Sequence, residues 1–186
     1  MKNLNLYIAL VHHPVLNKFG EIVTTSITNL DIHDIARSAI TYDVTKYYLI
    51  NPLESQKLFV DRVLKFWNSN IAKKYNNDRV NALSVVDYAY SLENCIQKIK
   101  KQEKSHPIVI TTTANEMKGQ VDFDFIAKID EKRTILLLFG TGNGLTDEIH
   151  SRADFILKPI KGLGNFNHLS VRSAVAIILD RLTSEK

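Results

Sequence analysis

Ile135-Leu136-Leu137-Leu138-Phe139-Gly140-Thr141-Gly142-Asn143-Gly144-Leu145 is the stretch on which the reading of this chain turns. Five consecutive apolar residues run straight into three alternating glycines. Thr146, Asp147 and Glu148 follow, a capping hydroxyl and negative charge where the dipole of an incoming helix favours them. A short apolar run bounded by turn residues is a strand buried on both faces, the kind found in parallel sheets. Glycines at its carboxyl end permit positive φ and close approach of backbone to a ligand. The spacing is wrong for a dinucleotide loop, which needs a third glycine three residues after the second and usually lies in a first βαβ unit. No phosphate-loop lysine follows either.

Working outward, a second pattern of the same kind comes directly after. Ile156-Leu157 leads into a Gly/Asn-rich loop through Gly162, Gly164, Asn165 and Asn167, and then into a helix with small residues at Ser170, Ser173, Ala174 and Ala176. Across the whole chain, apolar runs alternate with amphipathic stretches. Strands are expected at Leu4–Val11, Lys46–Ile50, Ala82–Val86, Pro107–Thr111, Thr134–Phe139 and Ala153–Leu157. Helices are expected at Ile32–Thr41, Pro52–Tyr75, Leu92–Glu103, Phe123–Lys128, Leu145–Ser151 and Leu169–Leu182, with Asn29 or Asp31 capping the first. This alternation predicts an α/β fold, a mostly parallel sheet with helices on both faces. Leu53, Gln56, Phe59, Val60, Val63, Leu64 and Trp67 form one stripe of the second helix, which makes Trp67 a core or interface residue. The polar turn Asn17-Lys18-Phe19-Gly20-Glu21 sits in a loop of roughly fifteen residues, long enough to suggest a functional role.

The chain has 186 residues, 45% hydrophobic and 24% charged, with four prolines and seven glycines. That suits one globular domain over residues 1–186 and excludes low-complexity or disordered classes. No stretch reaches the ~20 apolar residues of a membrane span. The lone Cys95 falls on an apolar helix position and reads as core in a reducing, cytoplasmic setting. The net charge of +4 is compatible with a polyanionic partner without identifying one.

The two glycine-bearing loops resemble the second and third motifs of the SPOUT superfamily of RNA methyltransferases. The first stretch ends as Leu-Leu-Leu-Phe-Gly-x-x-x-Gly-Leu at Leu145. The second runs from Ile160 through His168-Leu169-Ser170-Val171-Arg172-Ser173-Ala174-Val175-Ala176-Ile177. A looser match to the first motif, an arginine on an early helix, is Asn29-Leu30-Asp31-Ile32-His33-Asp34-Ile35-Ala36-Arg37. The whole chain is similar to a small bacterial branch found near, or fused to, tRNA guanine-N1 methyltransferase. The resemblance implies a C-terminal trefoil knot, S-adenosylmethionine as cofactor, RNA (tRNA foremost) as substrate and a homodimer packed through the last helix. It also implies a donor site at Gly140, Thr141, Gly142, Gly144 and Leu145 of one loop, and at Ile160, Gly162, Gly164, Asn167, His168 and Leu169 of the other. Thr111 and Thr112 would close its side. Backbone groups beside an apolar slot are what an adenine ring requires. Two departures bear on the acceptor: Gly142 stands where ribose-methylating members carry glutamate, and Ser170 where they carry asparagine.

Transfer to a ribose 2′-hydroxyl benefits from a group that takes or stabilises its proton. By the resemblance Arg37 is the first catalytic candidate, through contact with phosphate; its structural alternative is an ion pair with Asp34. His168 titrates near neutrality and could serve as base or cap the last helix. Ser170 and Asn165 could position the acceptor. His12 and His13 end the first strand, where ligands of α/β folds gather. With no carboxylate or cysteine set beside them, a metal site is not expected. Lys73-Lys74 and the run Lys98–Lys104 could hold phosphates or form solvated faces. The expected activity is tRNA ribose 2′-O-methylation. Guanine-N1 methylation and a non-catalytic, donor-binding RNA module are the alternatives.

Overall fold

Alternation along β1 (Asn5–Val11) explains why this strand sits mid-sheet. Leu6, Ile8 and Leu10 enter one hydrophobic cluster while Tyr7, Ala9 and Val11 enter another on the opposite face. The computed structural model describes residues 4–164 and 166–183. After β1 come the short strands β2 (Val15–Leu16) and β3 (Ile22–Val23), then α1 (Asn29–Thr41), β4 (Lys46–Ile50), α2 (Glu54–Trp67), α3 (Asn70–Tyr75) and α4 (Asn77–Leu83). Next are β5 (Val86–Ala89), α5 (Leu92–Glu103), β6 (Ile108–Thr111), α6 (Phe123–Ala127) and β7 (Thr134–Gly140). The described chain ends with α7 (Asp147–Ser151), β8 (Phe155–Ile156) and α8 (Val171–Thr183).

Among the described residues, six strands form one sheet in the order β5-β4-β1-β7-β6-β8, and every pairing in it is parallel. The chain runs outward from β1 to β5, then returns to build the other half, with β7 filed against β1 in register Asn5↔Thr134 to Val11↔Gly140. Strand order therefore reverses beside β1, and the crevice past the carboxyl ends of β1, β7 and β6 is where an open α/β sheet takes its ligand. Helices α1 and α8 contribute Ile32, Ile35, Val175 and Leu179 to one cluster; α5 and α7 contribute Cys95, Ile99 and Ile149 to the other. Cys95 is fully buried, and burial raises its thiol pKa. No helix among the described residues is long and apolar enough to cross a membrane.

Four details differ from the sequence reading. The strand expected at Ala82–Val86 lies at Val86–Ala89, because Val80, Ala82 and Leu83 are buried as the inner face of α4. The long helix Pro52–Tyr75 breaks after Trp67: Ser69 caps α3 by accepting from the Ala72 amide, and Asn76 caps α4. The cap of α1 is Thr28, neither Asn29 nor Asp31. Its Oγ accepts from the Asp31 amide (3.2 Å) and donates to Asp31 Oδ2 (2.5 Å), so the cap is tied to both the backbone and the side chain of Asp31. The loop before α1 holds a small antiparallel hairpin, Val15↔Val23 and Leu16↔Ile22.

Candidate active site

The turn after β7 is built from its neighbours. The Thr141 amide donates to the Val11 carbonyl and the Asn143 amide to the Leu16 carbonyl (2.7 Å), while Leu16 donates back to Gly144. A Cβ on Gly140 would stand 2.7 Å from the Leu145 amide nitrogen, and one on Gly142 would stand 2.7 Å from the Leu16 carbonyl. Gly142 also has φ +59. These two glycines are thus required by close packing of the turn on itself and on the hairpin, which leaves the turn's outer edge free to line a cavity.

That cavity, of about 580 Å³, opens past β7 and β6. The turn after β7 lines it with Gly140, Thr141, Gly142 and Gly144. Thr112, Thr113 and Asn115 come from the loop after β6, and Ile160, Asn167, His168 and Leu169 from the segment after β8. Ser170, Val171, Ala174 and Ile178 continue the wall along α8. Asn167 Nδ2 donates to the Ala114 carbonyl (3.0 Å), tying the two loops together. Nine of the thirteen residues expected to hold the donor therefore meet in one cavity.

The other four lie elsewhere for identifiable reasons. Thr111 ends β6 and Thr112 begins the loop after it, so the two side chains point different ways. Thr112 reaches the cavity, whereas Thr111 is buried against His150, with Nδ1 and Oγ 2.9 Å apart. Leu145 is buried in the second cluster beneath the turn. Gly162 and Gly164 lie exposed on the outside of their loop. Asn165 lies outside the described residues.

Among the catalytic candidates, Ser170 and His168 line the cavity. Ser170 caps α8, its Oγ accepting from the Ser173 amide (3.2 Å), so the helix-capping role weighed for His168 belongs to the serine. His168 is exposed, with its ring edge-on to Phe166. Arg37 is exposed on α1, beyond the cavity lining, and forms no ion pair among the described residues. The partner expected for it, Asp34, instead meets Arg172 of α8 (3.4 Å).

Sequence reasoning missed Asp31. It is the only carboxylate among the described residues lining the cavity, nearly buried, and held by Thr28 and by Arg172 Nη1 at 3.3 Å. Asp31 and Asp34 share the single guanidinium of Arg172, which leaves an excess of negative charge behind this wall. The signal was weak because Asp31 and Arg172 are 141 residues apart.

His12 sits behind the turn. Thr141 Oγ donates to the Val11 carbonyl, so the short contact between Thr25 Oγ and Thr141 Oγ (2.5 Å) uses the Thr25 proton. His12 Nδ1, 3.0 Å from Thr25 Oγ, must then donate. Nε2 is left a buried lone pair without a partner, and desolvation pushes the imidazole pKa down to about 4 despite the charge of Asp31. His13 meets Thr24 instead (2.9 Å).

Comparison with known proteins gives the family and the fold. Residues 5–184 match the model of a family described as SAM-dependent RNA methyltransferase. An uncharacterised protein of Aquifex aeolicus is 40% identical over 186 residues, covering 99% of this chain and 91% of its own. A tRNA (guanine-N(1)-)-methyltransferase of Oleidesulfovibrio alaskensis is 41% identical over 181 residues; the match covers 97% of this chain but only 42% of that protein. The solved structure of the A. aeolicus TrmH/SpoU tRNA modifying enzyme shares the fold. Its TM-score is 0.56 at 17% identity, over 98% of this chain and 75% of that one.

Proposed function

The chain belongs to the SAM-dependent RNA methyltransferase family, and on that premise we propose that it methylates a ribose 2′-hydroxyl of tRNA, working as a single cytoplasmic domain and a homodimer. The observation that carries the reading is the cavity itself. Its volume suits a nucleoside-sized cofactor, and apolar Phe139, Ile160 and Ile178 line it together with the backbone of the glycine turn. A side chain on Gly140 would collide with the turn's own backbone, so that turn is a cradle only glycine can form.

Thr112, Gly140, Gly144 and Leu169 would hold S-adenosylmethionine, and the net negative charge around Asp31 suits a cationic ligand. When bound, that cofactor supplies an electrophilic methyl group. The chain's residues do the rest. Asp31 takes the proton of the acceptor hydroxyl, Arg172 fixes the carboxylate, and Ser170 and His168 orient the ribose. Arg37 meets a neighbouring phosphate. The trefoil knot of the family would thread the segment after β8 through the loop after β6, two segments that the bond from Asn167 to Ala114 holds side by side. Ala174 faces the cavity, so of the small residues on α8 the dimer face keeps Ser173 and Ala176, joined by Ile177.

One observation favours a second reading, guanine N1 as acceptor. The N1 proton is more acidic than a ribose hydroxyl, so a weak base such as the Asp31 carboxylate in the cavity wall serves it better. Mass spectrometry of nucleosides from unfractionated bacterial tRNA treated with protein and donor separates the two. A 2′-O-methylnucleoside supports the proposal, N1-methylguanosine supports the second reading, and no methylated nucleoside with any RNA defeats both.

A further inference from the structure

One segment holds the whole of this chain's excess charge. Residues 62–79 contain five of its 24 basic residues (Arg62, Lys65, Lys73, Lys74 and Arg79) and one of its 20 acidic residues, Asp78. The segment is therefore +4, and the remainder, with 19 of each sign, is neutral. It forms the end of α2, all of α3 and the first turn of α4. Arg62, Lys65 and Phe66 share one face of α2 at spacings of three and four; Ile71, Lys74 and Tyr75 repeat that spacing on α3. Phe66, Ile71 and Tyr75 are 56%, 76% and 83% exposed. None of the five cations forms an ion pair among the described residues, although Lys57, Lys98 and Lys161 each do. Arg79 lies over the Trp67 ring (5.2 Å), and Trp67 packs edge-on against Phe66 (5.3 Å).

Packing does not require this arrangement. Val60, Ala72, Val80, Ala82 and Leu83 supply the fully buried contacts of the three helices, so the exposed rings and unpaired cations add mutual repulsion and exposed apolar area that core burial does not call for. Unpaired ammonium and guanidinium groups interleaved with exposed rings are the chemistry that holds unpaired nucleotides, cations to phosphates and rings to bases. The surface also connects to the cavity. Gln56 of α2 accepts from the Ile27 amide (2.7 Å), beside Thr25 and Ser26 of the cavity wall. Phe66 is ten residues further along the same helix, about 15 Å away, a distance that a short run of nucleotides covers.

We propose that α2, α3 and the start of α4 form the RNA-docking platform of this methyltransferase, with Arg62, Lys65, Lys73 and Lys74 on phosphates and Phe66 and Tyr75 under bases. The proposal rests on the RNA methyltransferase assignment. The test measures binding of labelled unfractionated bacterial tRNA across a salt series for wild type, R62E/K65E/K73E/K74E, F66A/Y75A and the control K100E/K101E on α5. S-adenosylmethionine titrations and melting curves of every variant establish that the fold is kept.

The fourfold charge variant is expected to lose at least about tenfold in affinity, and its log–log salt slope to shrink by roughly 3, near 0.7–0.9 per lost phosphate contact. F66A/Y75A is expected to lose at least about thirtyfold with its slope unchanged, because stacking releases no counterions. The α5 control keeps wild-type binding. Should the fourfold variant fold poorly, K73E/K74E reads the same effect at half the slope change. Wild-type tRNA affinity in both platform variants overturns the proposal, and is the result expected if another protein covers this surface. Donor binding by the wild type with no RNA binding at all overturns the RNA reading and the platform with it.

Discussion

Replacing Gly142 with alanine tests whether the turn after β7 is shaped by the packing described above. Two costs follow from the structure. The residue has φ +59, and a non-glycine residue in the left-handed region loses about 1–2 kcal/mol. The new Cβ would also stand 2.7 Å from the Leu16 carbonyl oxygen, a backbone atom already engaged by the Asn143 amide, and such overpacking costs about 1–3 kcal/mol. The sum is about 2–5 kcal/mol, or about 5–20 °C in melting temperature for a chain of this size. Gly20 provides the internal control. It has φ +80 but no atom within 4 Å of a built Cβ, so G20A carries only the backbone cost, about 1–2 kcal/mol. Thermal melts and urea titrations of both variants should show G142A as the more destabilised by at least about 1 kcal/mol. Equal losses would mean that the hairpin does not press on the turn, and the packing argument for the cradle would fail.

Three further outcomes follow. Unfolded His12 takes up a proton near pH 6.5 and the folded imidazole only near 4, so acidification through that window favours the unfolded chain, by about 3 kcal/mol in full. His33 and His150, both shifted down by burial, act in the same direction. Denaturation midpoints from pH 7 to 4 should fall accordingly and less steeply in H12N; parallel curves would rule out the buried neutral imidazole. Asp31→Asn keeps an acceptor for the Thr28 hydroxyl but loses the ion pair with Arg172, so stability should fall by about 1–3 kcal/mol while methyl transfer to tRNA drops roughly a hundredfold or more. Unchanged transfer would reduce Asp31 to a cap. Ala174→Phe fills the cavity from α8 and should abolish S-adenosylmethionine binding by calorimetry while the fold is kept; undiminished binding would place the donor elsewhere.

The sheet was legible where burial is two-sided. Strands β1, β4 and β7 are unbroken apolar runs, and periodicity alone located them within a residue. Strand β5 was not, because Asp87 interrupts it. The strand lies at the sheet's edge, where Lys98 pairs with that carboxylate, and the apolar residues just before it serve a helix. The glycine turn and the loop after β8 were readable as segments that meet, and both line one cavity, yet the reason for Gly142 was hidden until the hairpin supplied Leu16. Asp31 looked like a helix-start residue, which it also is. Its place in the cavity wall depends on α1 packing beside α8, a contact no local pattern encodes.

The methyl donor is expected in one cavity, between the turn after β7 and the segment after β8. Amide NMR of the labelled protein titrated with S-adenosylmethionine tests it directly. Saturable shifts are expected at Thr112–Asn115, Gly140–Gly144 and Asn167–Val171. No saturable shift, or shifts confined to the separate cleft around Met117, Phe123 and Arg181, would contradict it.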